Sequence, residues 1–172
     1  LLALPRMLHL SRREADIVIS LERPTRGSVI VTRLADYTLH LYGQREYLAR
    51  RPLVATREDL RHHAFVSYVD DLLFTKELQF LDALHQPERF ALRSTSITAQ
   101  YEAVRAGAGL AVLPAFLADR DPVLTRVLPQ EARFTRTFWM SMPAEAKHQA
   151  RMQAVWGMLK EVCAEEKGRL RP

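Results

Sequence analysis

The stretch "RAGAGLAVLP", Arg105–Pro114, constrains the fold more than any other part of the chain. Ala103, Val104 and Ala106 end a helix. Gly107 then supplies the left-handed residue that closes it, and Gly109 lets the backbone turn directly into an apolar run, Leu110–Leu113. A run with no polar side belongs to a strand covered on both faces, and Pro114 ends it. A helix packed this closely behind a buried strand is an αβ connection, which calls for further strand and helix alternation in the rest of the chain.

That alternation is present. "ADIVIS", Ala15–Ser20, reads as a strand, entered from the helix-like "LSRREA" and ended by the Arg-Pro of "LERPTRG". "YTLHLYG", Tyr37–Gly43, alternates as a strand does, and "REYLARRP" is a short helix closed by Pro52. "AFVSYV", Ala64–Val69, is a strand; "FTKELQFLDAL", Phe74–Leu84, has the apolar spacing of a helix. "RFALRSTS" and "ITAQYEAVRAG" give the next strand and helix, "LAVLP" and "TRTFWMSMP" two more strands, and "ARMQAVWGMLKEVCAEE" a long terminal helix. Strands alternating with helices predict an α/β sheet with parallel pairing.

Composition narrows the function classes. The chain has 172 residues, 48% of them hydrophobic and 26% charged, which suits one ordinary domain or two small lobes with a sizeable core. No apolar run approaches the roughly 18–20 residues of a membrane span, so a soluble chain with no membrane partner is expected. "LLALPRML" lacks a basic leader and a cleavage site and does not read as a signal peptide. The single cysteine, Cys163, sits at helical spacing in "VWGMLKEVCAEE" and is expected to be a packing residue in a reducing, cytoplasmic setting.

A net charge of +5 raises the question of nucleic acid, but the basic residues stand singly among acids, as in "TREDLRHH", with no run of five or six. No helix-turn-helix, C2H2 spacing or RNP-like aromatic pattern is present, so this segment is not expected to contact DNA itself. Enzyme motifs are also lacking. His62 and His63 are adjacent and point apart, His9, His40, His85 and His148 are isolated, and the glycines of "AGAGLA" follow a helix where a phosphate loop would precede one. Neither a catalytic residue, a metal nor a cofactor is expected.

"STSITAQYEAVRAGAGLAVLPAFLADRDPVLTRVLP", Ser94–Pro129, closely resembles the second lobe of the effector-binding (substrate-binding) domain of LysR-type transcriptional regulators. There a serine- or threonine-bearing turn leads into a helix, an Ala-Gly-x-Gly step and a strand ending in Leu-Pro. "LSRREADIVIS" with "VIVTRLADYTLHLYGQREYLARRP" is similar to the family's Ala-Asp-Ile strand, Arg-Leu crossover strand and Tyr-Leu helix, and "FWMSMP" with the Trp156-bearing helix matches the domain's end. The resemblance covers His9 to about Val162. It implies a two-lobed α/β fold of the type 2 periplasmic-binding-protein kind, with residues 1–38 and 134–172 in the first lobe and 44–124 in the second.

Part of the first lobe is missing by this comparison. "LLALPRML" looks like the domain's first helix and "HLSRREADIVIS" like the helix before its third strand, so a strand is expected between Leu8 and His9 and is not there. The family's N-terminal winged helix-turn-helix is also absent from this chain.

The resemblance further implies a small-molecule effector, a homodimer or homotetramer, and DNA bound through that N-terminal domain. A solute-binding receptor of a transport system shares the fold and is the alternative. In open α/β sheets ligands bind beyond the carboxyl ends of strands, which points to Ser20, Leu21 and Glu22 after "ADIVIS", to Asp70 and Asp71 after "AFVSYV" with Tyr68 near that strand's end, and to Thr95 and Ser96 after "RFALRS". Thr95 and Ser96 precede a helix whose unpaired amides and dipole favour a carboxylate, and their hydroxyls either contact a ligand or cap the helix. Ser20 and Glu22 fit a solvated strand exit equally well. Tyr68 lines a cleft or packs inward, and Asp70 either faces the ligand or caps "LLFTKELQFL"; facing the ligand, it would repel a simple carboxylate.

Overall fold

The computed structural model describes residues 15–73 and 75–171. Its elements run β1 (Val18–Ser20), β2 (Val29–Gln44), α1 (Arg45–Ala49), β3 (Phe65–Ser67), β4 (Phe90–Arg93), α2 (Ile97–Arg105), β5 (Ala111–Pro114), α3 (Ala115–Ala118), β6 (Leu124–Val127), β7 (Arg133–Pro143), α4 (Ala150–Glu165) and α5 (Lys167–Leu170). The expected helix in "LLALPRML", the polar helix "LSRREA" and the strand sought between Leu8 and His9 lie outside the described residues. The described chain divides into two compact units, one of residues 38–135 and the other of residues 15–37 with 136–171.

In the first unit the "RAGAGLAVLP" turn has the geometry its sequence predicts, and the structure supplies the reason for the second glycine. Gly107 has φ +77. Ala108 N donates to Ala103 O and Gly107 N to Val104 O, so the last carbonyls of α2 find partners in a glycine-closed cap. Gly109 has no unusual φ. A Cβ there would lie 2.4 Å from the Ala64 carbonyl oxygen, because the chain passes directly against the start of β3. Leu110 N donates to Ala64 O at 2.9 Å and Val66 N to Leu110 O at 2.7 Å, so the glycine is the condition for strand pairing at this point.

Parallel pairing holds only in part. β3 and β4 pair in parallel, and Phe65 bridges Leu110 in parallel on its other side, which is the arrangement a β4–α2–β5 crossover produces. β2, by contrast, pairs antiparallel with both β5 and β6, Leu41 facing Val112 on one side and Val127 on the other. β1 and β7 in the second unit are antiparallel as well. Apolar period marks a strand but says nothing of its direction, and β2 is a long connecting strand rather than one member of a βαβ series.

The helix expected over Phe74–Leu84 does not form. The described part of this stretch makes short 3-10 turns, Lys76–Leu78 and Leu81–Ala83. Thr75 Oγ1 accepts from Glu77 N at 3.1 Å, a local bond that competes with helical pairing, and Gln79 leaves the helical region at ψ 86. Leu78 and Phe80 are both buried although two residues apart, a spacing no single helical face provides; Phe80 meets the Phe134 ring at 5.4 Å. Asp70 accordingly caps no helix and begins a 3-10 turn, Asp70–Leu72. The first strand is also shorter than Ala15–Ser20, spanning only Val18–Ser20.

Each unit has its own core. Tyr42, Val66, Val104, Ala111, Leu113, Ala118 and Leu124 form that of the first, with α2 laying Ile97 and Tyr101 against it. In the second, Met142, Ala146 and Met152 cluster with Ile17, Ile30 and Trp156. Among the described residues no helix is long and apolar enough to cross a membrane.

Candidate functional site

β3 and β4 end side by side, Ser67 opposite Arg93, and the chain after β4 turns at once into α2. Ser94 N donates to Ser67 O at 2.9 Å, which extends the strand pairing by one residue and sets the turn against β3. Ser94 is 0% exposed; its Oγ accepts from Ser96 N at 3.1 Å. Ser96 is the N-cap of α2, its backbone extended and its Oγ accepting from Ala99 N at 3.3 Å. Gln100, one turn into the helix, donates from Nε2 to the Ser94 carbonyl at 2.8 Å. Three side chains therefore fix a turn of polar residues whose geometry would otherwise be free.

Thr95 stands between these two serines and is half-buried, as are Ser96 and Tyr68. The amides of Ile97 and Thr98, in the first turn of α2, have no preceding turn to pair with and carry the positive end of the helix dipole. Thr95, Ser96, Tyr68 and Asp70 thus gather at one end of the β3–β4 pair. Ser20, Leu21 and Glu22 follow β1 in the other unit. There Ser20 Oγ donates to the Glu22 carbonyl at 2.7 Å, closing the turn that leaves the strand, while Glu22 is exposed.

Arg93, the last residue of β4, is the group that sequence reasoning overlooked. It ion-pairs with Asp70 at 3.1 Å and lies 3.9 Å over the Phe90 ring. The pair is largely exposed, so it adds little stability; it sets a cation beside the Asp70 carboxylate. The signal was an arginine closing "FALR" beside a strand that exits into two aspartates.

A second polar cluster lies on β2 in the same unit. Tyr42 Oη donates to Asp119 Oδ1 at 2.7 Å and Arg126 Nε to the same atom at 3.0 Å. His40, 2% exposed, has neither ring nitrogen hydrogen-bonded, and its edge faces the Tyr42 ring at 6.3 Å. Burial, with Arg126 nearby, pushes the imidazole pKa below its usual value. His63 is also buried and shifted down by burial, and its Nε2 lies 3.0 Å from the Pro52 carbonyl. No group of three or more His, Cys, Asp or Glu that could hold a metal occurs among the described residues.

The family model for the LysR substrate binding domain matches residues 4–164. The chain belongs to this family. Among solved structures it is similar to the regulatory domain of CrgA, a LysR-type transcriptional regulator from Neisseria meningitidis, at 20% identity and TM-score 0.73, covering 90% of this chain and 78% of that one. The effector domain of the transcriptional regulator AmpR of Pseudomonas aeruginosa matches at 21% identity and TM-score 0.68, over 95% and 79% of the respective chains. The regulatory domain of an AphB variant from Vibrio vulnificus matches at 18% and 0.68, over 86% and 78%. A comparison with curated proteins gives no match. The fold is therefore the two-lobed, type 2 periplasmic-binding-protein-like α/β fold of LysR effector domains, and the domain is that of a transcriptional regulator family rather than of an enzyme class.

Proposed function

We propose that this domain senses a small organic anion, an organic acid or aromatic acid metabolite, at the Ser94–Ser96 turn, and that binding there biases a dimer or tetramer of the regulator between two states. One observation supports it above the others: in a chain of the LysR substrate binding domain family, the turn joining β4 to α2 carries Thr95 and Ser96 at a dipole-bearing helix end, with Ser94 and Gln100 holding the backbone rigid behind them. Ser94 and Gln100 are occupied internally. The Ser96 hydroxyl proton and the first amides of α2 are donors suited to a carboxylate, with Thr95 and Tyr68 beside them and Arg93 paired with Asp70. Ser20, Leu21 and Glu22 are proposed as further effector contacts from the first lobe.

A ligand changes the output only if it binds the two states with different affinity. The family assignment favours this role over that of a transport receptor, with DNA bound through a separate N-terminal domain and the protein acting in the cytoplasm. A thermal-shift screen of mono- and dicarboxylates and aromatic acids tests the sensing role. At least one should raise the melting temperature in a concentration-dependent way, and the rise should shrink in Thr95→Ala and Ser96→Ala. A ligand whose effect is the same in both variants places sensing elsewhere.

A further inference from the structure

A solvent-open pocket of about 350 Å³ lies wholly within the unit formed by residues 15–37 and 136–171, between the first half of β2 and the residues of α4, α5 and Arg171 that face it. That size is in the range of small-molecule sites. Lys160 and Cys163 reach it from one face of α4, Lys167 from the start of α5 and Arg171 from the residue just beyond α5. Arg33 and Asp36 reach it from β2.

The charges are unequal. Among the described lining residues Asp36 is the single carboxylate, its side chain 6% exposed. It is fully engaged: it accepts from Thr137 Oγ1 at 2.7 Å and Arg33 Nε at 2.9 Å, pairs with the Arg33 terminal nitrogen, and meets Arg171 Nη1 at 3.3 Å. Burial alone would raise its pKa, but the bonds from Thr137 and Arg33 more than offset this and keep it ionised. Asp36 therefore anchors two guanidinium groups without discharging the pocket. Lys160 and Lys167 make no ion pair among the described residues, and one carboxylate faces four cations.

We infer that this cavity is a binding site for a compact multivalent oxyanion, a phosphate group or a di- or tricarboxylate, held by Lys160, Lys167 and the unused donors of Arg33 and Arg171. Like-charged groups around a concave, partly apolar wall raise the local potential and concentrate counter-ions of the opposite sign. Guanidinium groups pre-set by Asp36 present planar donor edges that match carboxylate or phosphate oxygens. Cys163 lies in the same wall, and burial pushes its thiol up rather than down, so the cations do not make it a reactive thiolate. The site is distinct from the Ser94–Ser96 turn and does not depend on the role proposed for it.

Cys163 is the only cysteine in the chain and half-buried, which makes it a local reporter. Its alkylation by N-ethylmaleimide, a neutral reagent, is measured on the 172-residue chain at constant ionic strength with sodium chloride, inorganic phosphate or citrate. Phosphate or citrate at low millimolar concentration should slow labelling at least threefold, with chloride inert, and whichever protects at lower concentration identifies the preferred oxyanion. In Lys160→Gln/Lys167→Gln, both exposed positions, labelling without anion should stay within twofold and protection should vanish. Absence of protection by either anion, equal protection by chloride, or protection that survives in the double variant would each overturn the proposal. Thr95→Ala should leave this protection unchanged, separating the two sites.

Discussion

The amide of Gln100, 1% exposed, donates to the Ser94 carbonyl at 2.8 Å, tying the second turn of α2 to the turn that precedes it. A buried glutamine inside a helix is costly unless bonded, and here its bond fixes the backbone from which Thr95 and Ser96 project. The pre-organisation of the candidate site thus rests on a residue that need not touch a ligand.

Gln100→Met keeps the shape of the side chain and removes the donor, leaving a buried carbonyl without its partner. The loss should be about 1–3 kcal/mol. Urea unfolding should show a lower midpoint at unchanged slope, and effector affinity should fall even though Thr95 and Ser96 are intact.

Gly109→Ala forces a Cβ to within 2.4 Å of the Ala64 carbonyl, and the obstacle is backbone on a paired strand, which cannot rotate away. The expected cost is about 1–3 kcal/mol, the range of overpacking in a well-packed core. Gly168→Ala, with nothing within 4 Å of the added methyl group, should show no comparable loss in the same denaturation experiment.

Stability should fall as the pH is lowered from about 7.5 to 5.5. His40 and His63 both have folded pKa values below the ordinary 6.5, so the unfolded chain binds more protons in this window and acid favours unfolding. Asp36 and Asp119 have lowered pKa values and act below their ordinary 3.8, outside the window. The melting temperature should drop by a few degrees across it, and His40→Gln should flatten that dependence; an unchanged slope would assign it to other groups.

Much of the fold was legible in the sequence because local chemistry dictated it. Gly107 closes α2 and Ser96 opens it, both readable from residue type and position. The failures share a cause. Pairing direction along β2 depends on how distant segments meet, and apolar period carries no trace of it. In Thr75–Leu84 the apolar spacing imitates a helix, but Leu78 and Phe80 are both drawn into the core and Thr75 bonds its own backbone. β6 was missed because two of its four residues, Thr125 and Arg126, are polar.

The candidate site divides the same way. Thr95 and Ser96 could be found as a strand exit running into a helix start, and the structure sets Tyr68 and Asp70 beside them. Arg93, which pairs with Asp70, and Gln100, which braces the turn, act through contacts between residues far enough apart in sequence that no motif marks them.

Effector binding at the Ser94–Ser96 turn is tested by calorimetric titration of the best ligand from the acid screen into the unaltered chain and into Thr95→Ala. Removal of the hydroxyl should weaken binding at least tenfold in a protein that still unfolds cooperatively. An unchanged dissociation constant in a folded Thr95→Ala protein would contradict the claim and remove this turn from the site.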